Sequence, residues 1–164
     1  SVGFSFCHKE YPLSPLIIGG DQQEKLRAGT ENTLGIISLG LALEELNEYP
    51  YEEIKELKAK IISLINRNDN LFIVGDPTKS NANTICFIDK NNRADGSLIN
   101  FDMQGLDISS GSACTAGSIE PSMTLMAMGY SEFARNGLRI SLGKENLDVK
   151  DEILTRLEKI IEKL

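Results

Sequence analysis

Cysteine is scarce and scattered in this sequence. Its three copies, Cys7, Cys86 and Cys114, form no Cys-x-x-Cys pair, which argues against a disulfide framework and a structural zinc site and fits a reducing, cytoplasmic setting. Histidine occurs once, as His8. In the polar stretch His8-Lys9-Glu10 it reads as a surface residue, and no group of His, Cys, Asp and Glu has metal-ligand spacing. Long apolar runs are missing too: none approaches the roughly 20 residues that a transmembrane helix needs, and the N-terminus has no basic-then-apolar signal pattern. Positive charge is in deficit, 17 Lys and Arg against 24 Asp and Glu for a net charge of -7. Nucleic acid and anionic membrane are therefore not expected as main partners, and a small anionic ligand would need local basic groups. Internal repeats and low-complexity segments are absent. So is an initiator Met: the chain opens on Ser1 and runs straight into Val2-Gly3-Phe4-Ser5-Phe6, which reads as a piece of a longer protein.

What is present is the composition of a soluble globular chain, 41% apolar and 25% charged, which argues against disorder. Its length suits one domain, or a domain plus a piece of another, with a real core. The patterning predicts short strands at 2–6 and 16–18, then a helix over 33–48 capped by Asn32. That helix carries Leu34, Ile36, Ile37, Leu39, Leu41 and Leu43 nearly all round and is expected to be buried. Pro50 ends it. A second helix, 51–67, lines up Ile54, Leu57, Ile61, Leu64 and Ile65 on one stripe that should pack on a sheet or a helix. Strands are predicted at 71–74, 84–88, 106–108 and 137–142, and helices at 95–103, 122–128 and 148–164. The alternation of helices and strands points to a two-layer α/β or α+β unit.

The stretch Ser109-Ser110-Gly111-Ser112-Ala113-Cys114-Thr115-Ala116-Gly117-Ser118 is built almost wholly of small residues, so the backbone is free to bend and nothing bulky covers the thiol. Cys114 is placed on a strand-to-helix loop, where reactive groups are often carried; an idle cysteine in a Ser/Gly linker is the competing reading. Arg27-Ala28-Gly29-Thr30 ahead of a helix suits either a phosphate cradle or a plain turn and cap. Arg139, between apolar neighbours in a strand, faces either water or a buried anion, for which its guanidinium is the best carboxylate clamp available. Cys7 and Cys86 read as core or near-core residues. The Asp and Glu residues read as solvated faces, and Lys55 and Lys58, on the 51–67 helix, as surface lysines with nothing to lower their pKa.

Three of these signals stand in one order: Gly19-Gly20-x-Gln22 with Arg27-x-Gly29-Thr30-Glu31-Asn32, then Ser109-Ser110-Gly111-Ser112-Ala113-Cys114-Thr115, then Arg139-x-Ser141-x-Gly143. In that order, supported by Asn83-Thr84, Glu120-Pro121-Ser122 and Ala127-Met128-Gly129, the chain resembles the C-terminal part of a cysteine desulfurase of the NifS/IscS type over essentially its whole length. The resemblance implies an α/β fold, the C-terminal part of a fold-type I pyridoxal-phosphate-dependent transferase. It divides the chain into the end of a large cofactor-binding domain at 1–32, a connecting helix at 33–50, and a small C-terminal domain at 51–164 that carries the cysteine loop. It also implies that Cys114 takes sulfur from L-cysteine as a persulfide for an acceptor or scaffold protein. Arg139 would clamp the substrate carboxylate, and Thr30 would reach the pyridoxal 5'-phosphate of the neighbouring subunit in a homodimer. The cofactor lysine is expected upstream of Ser1, together with the ring-stacking histidine and the aspartate that meets the pyridine nitrogen. Two departures are visible: Asp21 stands where the family usually has a third glycine, and Gln23-Glu24-Lys25 replaces the common Glu-x-Gly. A cofactor-free module for sulfur relay or partner binding, and a related lyase acting on selenocysteine, are the alternatives.

Overall fold

The computed structural model describes residues 2–110 and 120–164, and the chain divides into two compact units, Ser1–Tyr49 and Pro50–Leu164. The second unit holds the core. Its first helix, α2 (Tyr51–Ile65), follows Pro50 at the N-cap and places Glu52 and Glu53 in its first turn, where they offset the positive end of the helix dipole. The predicted stripe Ile54, Leu57, Ile61, Leu64 and Ile65 is buried throughout. Each such side chain contributes about 1.5–3 kcal/mol by leaving water. The helix stops at Ile65, where Asn66 and Arg67 turn the chain back on Ile62 and Leu64.

Four strands follow: β1 (Leu71–Ile73), β2 (Thr84–Asp89), β3 (Ser109–Ser110) and β4 (Gly137–Ser141), in the order β1-β2-β4-β3 and antiparallel throughout. Between them lie α3 (Ala94–Met103) and α4 (Met123–Ala127), and α5 (Lys150–Ile161) follows β4. Pairing of Ile85 with Ile140 and of Phe87 with Leu138 sets those four on one face, all of them buried. The Phe87 ring meets Phe101 of α3 edge-on at 6.4 Å, while α2 packs against α5, which buries Leu157, Ile160 and Ile161. On the opposite face, Phe72 meets Tyr130 and Phe133 at 5.6 and 5.8 Å, covering one end of the sheet.

The strand predicted at 106–108 forms later, at Ser109–Ser110. Gly105, at φ +71, ends α3, and Leu106 spends its N–H on the Phe101 carbonyl at 3.0 Å. The backbone is free to pair only after that cap is complete.

In the first unit, α1 (Thr33–Glu45) is capped by the Asn32 side chain, which accepts from the Gly35 N–H, and runs on as a 3-10 turn at Leu46–Glu48. The expectation that it is buried does not hold: none of its residues is buried, and Leu34 and Ile37 are 78% and 60% exposed. Within residues 1–49 no apolar layer covers it. The strands expected at 2–6 and 16–18 are not formed either. Residues 2–6 form no strand, and the second run leaves the single bridge Ile17 to Arg27, closed by Leu16 N–H to Leu26 O and Ala28 N–H to Ile17 O. Cys7, read as a core residue, is exposed.

Candidate active site

Arg139 lies in β4 between Leu138 and Ile140, both buried. Because side chains alternate across a strand, Arg139 takes the opposite face, where it is half-buried. Its direct neighbours are set by register: Cys86 of β2 on one side and Ser109 of β3 on the other. Thr84 and Ser141, paired with each other, come next along the same face. Among the described residues no carboxylate forms an ion pair with Arg139, whereas Arg67, Arg93 and Arg156 pair with Glu158, Asp95 and Glu152. Burial pushes the Cys86 thiol above its ordinary pKa of 9.0, and the positive charge of Arg139 pulls it part of the way back. Cys86 therefore keeps its proton at neutral pH.

Cys114, the predicted nucleophile, lies outside the described residues, as do 111–119 as a whole. The stem leading to it is described. Ser109 and Ser110 pair with Arg139 and Leu138, so the chain enters that segment from beside the guanidinium.

In the first unit Thr30 is exposed, and its hydroxyl has no partner among the described residues. Gly29 precedes it at φ +106, a conformation that suits glycine. The Gly29 N–H donates to the Gln22 side chain at 3.2 Å, and Arg27 Nη1 to the Ala28 carbonyl at 3.1 Å. The turn can thus offer a phosphate a free hydroxyl at Thr30, while one of the backbone donors expected in a cradle is already used. Gln23, Glu24 and Lys25, the stretch singled out above as a departure, all take positive φ, at 52, 56 and 67°. Each costs on the order of 1–2 kcal/mol in an L-residue.

Sequence reasoning missed two polar residues of the second unit. Lys58 is not a surface lysine: it is 5% exposed, and its Nζ donates to Ser80 Oγ and the Asn81 carbonyl, both at 2.6 Å. Loss of hydration lowers its pKa below 10.5. It borders a cavity of about 250 Å3 that reaches Lys79, Thr84 and Cys86, and it pins the loop that enters β2. Lys55 is exposed, as read, and pairs with Glu52. Asp89, read as solvated, is fully buried. Its Oδ1 accepts from the Asn91 and Asn92 N–H groups at 2.9 and 3.1 Å, and its Oδ2 from Asn92 Nδ2 and Ser97 Oγ at 2.9 and 3.2 Å. The signal for it was local, the run Asp89-Lys90-Asn91-Asn92, which suits a side-chain turn. His8 is exposed, as read.

Among the described residues, three or more His, Cys, Asp and Glu do not gather where a metal could sit, and no helix is long and apolar enough to cross a membrane. The fold is α/β, with an antiparallel sheet, and it aligns with a NifS-like protein from Rickettsia africae at a TM-score of 0.70 and 30% identity, over 93% of this chain and 41% of that one. The family model for class-V aminotransferases matches residues 17–151, and the chain belongs to that family. It is 34% identical to the cysteine desulfurase IscS of Dictyoglomus turgidum, over 99% of this chain and 43% of the relative, and 36% identical to a cysteine desulfurase of Gluconacetobacter diazotrophicus, over 99% and 42%. The chain thus spans about two-fifths of the length of these relatives.

Proposed function

We propose that this chain is the C-terminal part of a pyridoxal-phosphate-dependent cysteine desulfurase that converts L-cysteine to L-alanine and carries the sulfur as a persulfide on Cys114. The observation that carries the reading is the register of β3 against β4. Ser109 lies opposite Arg139, so the stem of the cysteine segment is fixed beside an arginine with no ion-pair partner among the described residues. Cys114 comes five positions after Ser109, and chain length alone keeps the two within about 18 Å. Chain length thus allows Cys114 to come to the sulfur of a substrate held by its carboxylate at Arg139.

Each residue has a stated part. The Arg139 guanidinium holds the substrate carboxylate through two parallel hydrogen bonds. The Cys114 thiolate attacks the substrate sulfur and keeps it as the new sulfur-sulfur bond forms and the carbon-sulfur bond breaks. Pyridoxal phosphate, when bound, supplies the electron sink for the charge left on carbon. Thr30 donates its hydroxyl to the cofactor phosphate of the neighbouring subunit, which makes the complete protein a homodimer. Residues 1–32 then end the large domain, 33–50 connect, and 51–164 form the small domain. The cofactor lysine belongs to the part of the relatives that this chain does not span, the persulfide passes to an acceptor protein for iron-sulfur or other sulfur-cofactor assembly, and the protein works in the cytoplasm.

In the complete protein, Cys114→Ser should abolish sulfide release from cysteine while the cofactor's absorbance is retained. Sulfide release at near wild-type rate in that variant would refute the assignment.

A further inference from the structure

Arg139 sits in a surround that is small and uncharged on every side the register defines. Directly opposite stand Cys86 and Ser109, and diagonally Thr84, with Ser141 two residues along its own strand. Direct cross-strand neighbours have Cβ atoms about 4.5–5.5 Å apart, so an acidic residue at 86 or 109 would reach the guanidinium and pair with it. Asp107, two residues ahead of Ser109, lies outside β3, is exposed, and makes no ion pair with Arg139 among the described residues. Three other arginines of the unit do have carboxylate partners. Among the described residues Arg139 is therefore a half-buried cation without a counter-ion, an arrangement that favours an anion arriving from outside.

We infer that Cys86 and Ser109 are specificity-determining residues that form the two side walls of the carboxylate subsite, keeping the Arg139 fork open for an α-carboxylate because neither wall carries charge. The inference rests on the reading of Arg139 as a carboxylate clamp. Burial supports it on the Cys86 side: the thiol keeps its proton at neutral pH and so does not compete as a thiolate. Both walls are small side chains, which suits the two parallel hydrogen bonds that a guanidinium makes with a carboxylate.

The test replaces each wall by an isosteric pair that differs only in charge, in the full-length holoprotein. Binding of L-alanine, a carboxylate-bearing amino acid that undergoes no desulfuration, is measured by calorimetry, so that no turnover is needed. Cys86→Asp should bind L-alanine at least tenfold more weakly than Cys86→Asn, and Ser109→Asp at least tenfold more weakly than Ser109→Asn. Any packing loss is common to both members of a pair. A second site on the other side of the guanidinium keeps the test decisive if one Asp variant does not fold. Equal affinities within either folded pair overturn the inference for that wall. Arg139→Ala, measured alongside, separates the two layers: unchanged L-alanine affinity there removes the clamp reading itself. Weakened affinity in Arg139→Ala with equal Asp and Asn variants removes the walls alone.

Discussion

Replacing Asp89 should loosen the frame that carries Arg139, and the hydrogen bonds on its two oxygens rank the substitutions. The carboxylate is fully buried and accepts four hydrogen bonds, two on each oxygen. Its main chain is tied to the residue just ahead of β4, with Asp89 N–H to Asn136 O at 3.3 Å and Asn136 Nδ2 to Asp89 O at 2.8 Å. A hydrogen bond to a charged group contributes about 1.5–3 kcal/mol. Simple addition over four overshoots, because Asn91 and Asn92 are exposed and water can take over their donors. Asp89→Ala is therefore expected to cost about 3 kcal/mol. Asp89→Asn keeps one acceptor oxygen for the two backbone N–H groups but sets an NH2 against the Asn92 NH2, so it should cost about 1–2 kcal/mol. Ser97→Ala removes one bond at 3.2 Å and should cost about 1 kcal/mol. Urea unfolding of the full-length protein, followed by far-ultraviolet circular dichroism, gives the differences from midpoints at constant slope. A cost under about 1 kcal/mol for Asp89→Ala, or equal costs for Asp89→Ala and Asp89→Asn, would refute the view that this carboxylate organises the junction.

Alkylation of Cys86 by iodoacetamide should rise with pH to a midpoint above 9.0, and Arg139→Ala should move that midpoint higher by removing the attraction that favours the thiolate. A lower midpoint in the variant contradicts the register-based pairing. The sign for stability follows: the folded thiol holds its proton longer than the unfolded one, so its contribution is present below pH 9.0 and is lost as pH rises through the folded value. Lys25, held at φ 67°, should tolerate glycine with a gain of about 0.5–1 kcal/mol, the relief of left-handed strain less the entropy of the added freedom. Thermal unfolding at or below the parent midpoint for Lys25→Gly would show that the turn is not strained.

The parts of the fold that were legible in the sequence are those in which one face is apolar and the other is not. The stripe from Ile54 to Ile65 gave α2 its place, and the same contrast marked the strands at 84–88 and 137–142, whose observed bounds differ by a residue. Helix α1 was legible as a helix but not in its burial, since an apolar surface all round says that a cover is wanted and not where it lies. Residues 106–108 misled because apolar character says nothing about which N–H groups a helix cap consumes. At the site, Arg139 was legible as a candidate while its face was not: alternation fixes opposition to Leu138 and Ile140 only once their burial is known. Cys86 and Ser109 could not be found as its neighbours because register between strands far apart in sequence is a tertiary property. Asp89 and Lys58 were missed for a shared reason. Charge alone suggests solvent, and their burial depends on local oxygen and N–H partners.

The most direct test of the central claim is mass spectrometry of the full-length protein after exposure to L-cysteine, with the added sulfur located by peptide. One sulfur atom on the peptide containing Cys114, removed by thiol reductant, with alanine formed in equal amount and with Cys7 and Cys86 unmodified, is the predicted result. Alanine and sulfide produced at full rate while Cys114 never carries the sulfur, including in a trapped single turnover, would contradict it.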